Sequence, residues 1–186
     1  VTVLDESEYD HAGRLLSYFQ TLDGGQRILL ASYSYNELGE LIEENLHSTD
    51  GGGNFLQSID YRYDIQGRMI SMNNAQLNAG ANNNDSDDLF GMELGYGDEV
   101  LNVDGQPIEL QYDGTITAFK WNADFPDVGK QEKVYGYQYD ELNQLTAAHY
   151  AEIGGTSGTQ NVENLTYDDH GNIQTVLRYG KLDGTR

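Results

Sequence analysis

Oxygen- and nitrogen-bearing side chains recur along this sequence, and their spacing decides what chemistry they could do. The stretch closest to a metal loop is Asn83, Asp85 and Asp87, alternating oxygen side chains like those that open a calcium loop. It departs from that loop twice. Counted from Asn83, Asp88 stands where the sharp-turn glycine belongs, and Leu94 stands where the bidentate glutamate belongs. The departures favour a solvated polar loop, with calcium as the alternative.

The aspartates Asp10, Asp64, Asp113, Asp140 and Asp168 could be read as general acids or bases. Catalysis needs unlike groups converging on one point, whereas these carboxylates recur with the same neighbours each time. Turn formation is the expectation for them. His11, His47, His149 and His170 are expected to be exposed and non-catalytic, because none has a second histidine at metal-ligand spacing. Cysteine is absent, which excludes disulfides, thiolate catalysis and cysteine zinc sites. No catalytic residue and no cofactor are assigned.

The element that positions these groups is a repeated phrase: Tyr-Asp, two free residues, Gly, a polar residue, then an apolar one. It occurs with Tyr9, Asp10 and Gly13, with Tyr35, Asn36 and Gly39, and with Tyr63, Asp64 and Gly67. It returns with Tyr139, Asp140 and Asn143, and with Tyr167, Asp168 and Gly171. A shortened copy holds Tyr112, Asp113 and Gly114. Asp or Asn opens a type I turn by accepting a backbone N–H, and Gly three residues later closes a G1-bulge hairpin. Asn143 takes the glycine position because Asn is comparatively tolerant of positive φ. The short copy has the Asp-Gly pair of a two-residue type I′ hairpin.

The tyrosines step by 26, 28, 49, 27 and 28 residues. A second turn signal follows five of the six at the opposite end of the strands: Asp23-Gly24-Gly25, Asp50-Gly51-Gly52-Gly53, Asp127-Val128-Gly129, Gly154-Gly155 and Asp183-Gly184. The spacing predicts an all-β fold, a repetitive antiparallel hairpin ribbon in which stacked neighbours bury what one period cannot. The long step predicts an insertion at about residues 78–98, with a polar loop over 82–88, an added strand over 89–96, and recovery of the frame from Leu101 through a turn at Asp104-Gly105 and a strand leading to Tyr112. Tyr33 with Tyr35, Tyr61 with Tyr63, and Tyr137 with Tyr139 share strand faces. Cross-strand packing is their expected role, with glycan stacking as the alternative. Trp121, in line with Thr115, Thr117 and Phe119, reads as packing.

The 186 residues hold 10 basic and 31 acidic side chains, a formal charge of −21. Such a field repels phosphate backbones and anionic membranes, so neither nucleic acid nor a membrane span is expected. Both ends cut the repeat register, which suggests a segment of a larger polypeptide.

The phrase resembles the tyrosine-aspartate repeat of the Rhs/YD-repeat proteins over nearly the whole chain. The stretches Asp88 to Leu94 and Gly114 to Trp121 are also similar to ones in Bacteroidota members. The resemblance implies a spiralling β-sheet that winds into a hollow shell, related to the teneurin shell. In bacterial members the shell encloses a C-terminal toxin. For residues 1–186 it implies a structural, non-catalytic segment, secreted or on the cell surface, its export signal lying elsewhere. The implied partners are further repeats of the parent chain, an enclosed toxin or effector, and secretion machinery or a cell-surface glycan. The family's self-cleaving core has no match here.

Overall fold

A computed structural model describes residues 1–80, 83, 87–97, 101–126 and 129–180. Every regular element among them is a β-strand, and every strand pairing is antiparallel. No helix is long and apolar enough to cross a membrane among the described residues. The chain divides into two compact units, Val1–Asp88 and Leu89–Arg186.

The first unit contains β1 (Val3–Tyr9), β2 (Leu15–Leu22), β3 (Arg27–Tyr35), β4 (Leu41–Ser48), β5 (Gln57–Tyr63) and β6 (Met69–Met72). Each strand pairs with the next in chain order. The phrase lies at the β1–β2, β3–β4 and β5–β6 turns, and the ladder slips by one residue beside each tyrosine. Tyr9 then faces Leu15, Tyr35 faces Leu41, and Tyr63 faces Met69. That slip is the G1 bulge, which raises the local twist. At the other end of the strands, Asp50 accepts from the Ser48 hydroxyl at 2.7 Å and from the amides of Gly53 and Asn54 at 2.9 Å. Leu29 and Ala31 on β3 are buried, while β1 is exposed at every residue.

The second unit contains β7 (Phe90–Gly95), β8 (Leu101–Val103), β9 (Gln106–Ile108), β10 (Ala118–Ala123), β11 (Lys133–Tyr139), β12 (Leu145–Glu152), β13 (Val162–Tyr167) and β14 (Ile173–Arg178). Its main sheet has the order β7-β10-β11-β12-β13-β14, and β8 with β9 forms a separate two-stranded ribbon. The expected strand over 89–96 is β7, and it belongs to the main sheet through its pairing with β10. The β8–β9 hairpin, later in the chain than residues 78–98, also lies outside the main sheet. Residues 81–82, 84–86 and 98–100 of the polar and returning stretches lie outside the described residues. So do Asp127 and Val128 of one expected turn and Asp183-Gly184 of another.

The two-residue type I′ turn falls at a different Asp-Gly pair from the one the repeat frame selects. Asp104 and Gly105 have φ of 56° and 75°, the positive pair that type I′ needs, and they join β8 to β9 with Val103 opposite Gln106. Tyr112, Asp113 and Gly114 form no hairpin. Only Gly114 of the central pair has positive φ, and β9 pairs with β8, so no strand before Tyr112 exists for β10 to fold back on. The short phrase instead returns the chain from the excursion into β10.

The β8–β9 hairpin lies over one face of the second unit. Val103, Ile108 and Val134 make its buried cluster, with Leu101 and Ala151 against it. Gly136 on β11 makes this approach possible. A Cβ there would meet Ile108 at 2.5 Å and Val103 at 2.9 Å, inside any real contact. The hairpin tip is tied down by Asn161, whose Nδ2 donates to Asp104 at 2.9 Å while its Oδ1 accepts the Tyr150 amide at 2.7 Å.

Candidate functional site

The repeated turns share one geometry. In each of the five full copies the backbone carbonyl of Asp or Asn accepts the amide three residues on, at 3.0 or 3.1 Å. Its side-chain Oδ1 accepts the amides two and four residues on, at 2.8 to 3.0 Å. The residue three on holds positive φ: 81° at Gly13, 86° at Gly39, 77° at Gly67, 60° at Asn143 and 80° at Gly171.

The second side-chain oxygen is also engaged in several copies. Arg14 and Arg68 donate their Nε to Asp10 and Asp64 at 2.6 Å, and Asn172 Nδ2 donates to Asp168 at 3.0 Å. In the Asn copy, Asn36 Nδ2 donates to Glu40 at 2.6 Å. These bonds favour the ionised form. The Arg14 amide chiefly holds the Asp10 carboxyl below the usual range, and the Asn172 side chain chiefly does so for Asp168. At Asp64 partial burial pushes upward, but the Arg68 amide and guanidinium and the Gln66 amide together outweigh it. A carboxylate ionised at neutral pH, with its lone pairs committed inside its own turn, is poorly suited to carry protons for a substrate.

Neighbouring turns also touch. Tyr35 donates its hydroxyl to the Leu15 carbonyl at 2.9 Å, and Tyr167 donates to the Leu145 carbonyl at 2.8 Å. Leu15 and Leu145 are the residues opposite Tyr9 and Tyr139, across the bulge of the preceding hairpin. The Arg14 guanidinium lies 4.8 Å from the centre of the Tyr35 ring. A Cβ on Gly39 would come within 3.1 Å of Arg14, one on Gly67 within 3.2 Å of Glu40, and one on Gly171 within 3.5 Å of Gln144. Within each unit the turns thus stack along one edge. The short copy joins that stack without being a hairpin. Tyr139 donates to the Ile116 carbonyl at 2.6 Å, and Asn143 donates to Asp113. Asp113 is held below the usual range, chiefly by the Thr115 hydroxyl and then by the Thr115 amide.

The aromatic side chains of the second unit form a ladder on the face opposite β8–β9. Phe119 stacks on Trp121 with centroids 5.0 Å apart, Trp121 on Tyr135 at 5.5 Å, and Tyr135 on Tyr137 at 6.1 Å. Tyr150, fully buried, tilts against Trp121 and Tyr135. Rings stacked on one another use their faces internally, and faces are what a sugar ring would need. Burial pushes the Tyr137 phenol up to about 12. In the first unit Tyr61 donates to Glu44 at 3.2 Å, and burial, then Glu44, push it up to about 12.

The calcium trio is not brought together by what is described. Asn83 is buried, Asp87 is exposed, and Asp85 lies outside the described residues. Among the described residues no group of three or more His, Asp or Glu side chains could hold a metal ion. His11, His47 and His170 are exposed, but His149 is not. It is 7% exposed, beneath the β8–β9 hairpin, with Nε2 3.2 Å from Gln138 Oε1. Sequence reading placed a turn at Asp104-Gly105 but missed Gly136 and Asn161 as the seat of that hairpin. Gly136 inside an otherwise regular Tyr-rich strand was the available signal of close approach. A cleft of about 200 Å³ in the second unit is lined by Glu93, Gly95, Thr117, Ala118 and Lys120 among others, with Lys120 3.9 Å from Glu93. Its described lining residues include no nucleophile paired with a base.

The fold and the turns define an all-antiparallel β-repeat protein built from stacked Asx-turn hairpins. No protein-family model and no curated protein sequence matches the chain. Among solved structures it is similar to a TcdB2-TccC3 crystal structure lacking the hypervariable C-terminal region. That match has 15% identity and a TM-score of 0.41, and it covers 99% of this chain and 12% of that one. It is also similar to a Tc holotoxin pore structure from Photorhabdus luminescens, at 14% identity and a TM-score of 0.41, covering 99% of this chain and 11% of that one. The chain thus spans only about an eighth of the structures it matches.

Proposed function

We propose that this chain is a structural, non-catalytic segment of an Rhs/YD-repeat shell. It contributes part of a wall that encloses or presents a C-terminal toxin or effector of its parent polypeptide. One observation carries the reading: the same turn recurs five times, with its carboxylate or carboxamide oxygen spent on its own backbone amides. Side chains arranged this way hold a wall in register and are not left over for a substrate.

The edges support continuation of the sheet. Strands β1 and β14 are exposed at every residue, with Val3, Leu4, Ile173 and Val176 each more than half exposed. A bare strand edge is a template for another strand, and further repeats of the parent chain satisfy it without aggregation. On this reading the parent is secreted or displayed at the cell surface, with secretion machinery as a further partner. The alternative, a surface module that binds glycans, is supported less well because the ladder rings spend their faces on one another.

The test is protease protection of the passenger in the intact parent polypeptide. With wild-type repeats the passenger should resist digestion. Replacing Tyr35, Tyr139 and Tyr167 together by Phe should open the wall and expose it. A passenger digested equally fast in both proteins would contradict the proposal.

A further inference from the structure

The two outermost strands are complementary in kind. β1 is first in the sheet order and β14 is last, and each is exposed at every residue. β1 leads into a Tyr-Asp turn, as β3, β5, β11 and β13 do, whereas β14 returns from one, as β2, β4, β6 and β12 do. In the first unit a returning strand meets the next leading strand in one repeated register. The fourth and fifth residues after the turn glycine face the third and fourth before the next tyrosine. Ser17 faces Ser32 and Tyr18 faces Ala31, then Glu43 faces Asp60 and Glu44 faces Ile59. A tyrosine hydroxyl then reaches the carbonyl two residues past the glycine position. Tyr35 reaches Leu15 past Gly13, Tyr139 reaches Ile116 past Gly114, and Tyr167 reaches Leu145 past Asn143.

The same count applies between β14 of one copy and β1 of another. From Gly171 it sets Thr175 against Glu6 and Val176 against Asp5, and it brings the Ile173 carbonyl to the Tyr9 hydroxyl. Tyr9 has no strand before β1 to reach back to, and it is 60% exposed. No like charges meet in this register, and the exposed Val3, Leu4, Val176 and Leu177 lie in or beside the paired stretch. Pairing β1 with β1 would instead set Asp5, Glu6 and Glu8 against their own kind, which is repulsive. Charge therefore selects the unlike edge.

We propose that the β14 edge of one copy of this chain receives the β1 edge of a second copy, in the register of the repeat, closed by a hydrogen bond from Tyr9 to the Ile173 carbonyl. The contact is heterologous, with adhesion from the backbone ladder and register from the tyrosine. It deepens the wall reading by giving the register in which a further repeat docks, since the second copy stands where that repeat would. The two fail separately. Digestion of the passenger in the parent would strike the enclosure and leave this contact standing, whereas copies that never associate would strike the contact alone.

The test is sedimentation of the whole chain over a concentration series, with cysteine pairing to fix the register. The chain has no cysteine of its own, so introduced ones report alone. Mass should rise with concentration. Val176→Cys mixed with Asp5→Cys should form a mixed disulfide under mild oxidation, well in excess of Val176→Cys mixed with Glu8→Cys, because only the first pair is directly opposed. Tyr9→Phe should weaken association about fivefold, the equivalent of one hydrogen bond. Val176→Asp sets a carboxylate opposite Asp5 and should also weaken it. Both residues are exposed on bare edge strands, so the dilute chains should melt as the wild type does. A chain that stays monomeric up to about 100 μM would overturn the proposal. So would equal disulfide yields from the two mixtures, or Tyr9→Phe and Val176→Asp chains that associate as the wild type does.

Discussion

The phenol of Tyr35 donates to the carbonyl oxygen of Leu15 at 2.9 Å, joining the second repeat turn to the first. Tyr167 makes the same bond to Leu145 at 2.8 Å in the second unit. Both tyrosines open their own turn and reach back to the residue that closes the preceding one. With Tyr139 donating to the Ile116 carbonyl, this gives the tyrosine hydroxyl a role in three of the six copies. Phenylalanine would pack as well in the strand but could not reach the carbonyl.

Tyr35→Phe should therefore destabilise the chain by roughly 1 kcal/mol, the net worth of one hydrogen bond. Tyr9, 60% exposed on β1, is the control, and Tyr9→Phe should stay within about 0.5 kcal/mol. Urea unfolding of the three proteins, compared at equal m-value, measures both.

The glycine of the turn can be tested by conformation alone at Gly13, where an added Cβ meets nothing within 4 Å and φ is +81°. Gly13→Ala should cost about 1–2 kcal/mol from left-handed strain. Gly13→Asn should cost visibly less, because Asn143 already holds φ of 60° at the matching position. Equal losses in thermal melts would show that crowding, and not backbone strain, selects the residue.

Gly136→Ala addresses the β8–β9 hairpin. The new methyl would meet Ile108 at 2.5 Å, so the hairpin must lift or β11 must shift, at about 1–3 kcal/mol for an overpacked site. Hydrogen exchange should quicken at Leu101–Ile108 while the β1–β4 amides keep their wild-type rates. Unchanged exchange in the hairpin would mean that it does not lie on Gly136.

The pH response follows from the displaced phenols. Tyr61 and Tyr137 are pushed up to about 12, against an ordinary value near 10, mainly by burial of the neutral ring. A raised folded value contributes stability that is complete below about pH 10 and disappears as pH climbs through about 12, because the unfolded phenols ionise first. Alkaline unfolding between those limits should coincide with the tyrosinate absorbance rise. Phenols ionising near pH 10 with no loss of structure would contradict their burial.

Most of the meander was legible in the sequence because one local device fixes it. Asp10, Asn36, Asp64, Asp140 and Asp168 each bond to amides two and four residues away, so the turn needs nothing from the rest of the fold. The Asp113-Gly114 turn misled because the Asp-Gly pair states a preference and not a partner. Whether it becomes a hairpin depends on a strand before it, and that strand is committed to β8. The burial of His149 and of Asp88 was hidden for the same reason. Each depends on a contact between segments with no shared periodicity, such as β8–β9 on Gly136, or Gln57 reaching Asp88 across 31 residues.

The central claim is that the repeated aspartates are turn acceptors and not proton carriers, and their carboxyl titration tests it directly. Carbon-detected NMR should find Asp10, Asp64 and Asp168 titrating below the ordinary value of about 3.9, since their amide and guanidinium partners favour the anion. The stability they lend is then complete above that value and lost as pH falls through the lowered ones. Any of the three titrating at or above the ordinary value, and above all near neutrality, would contradict the account.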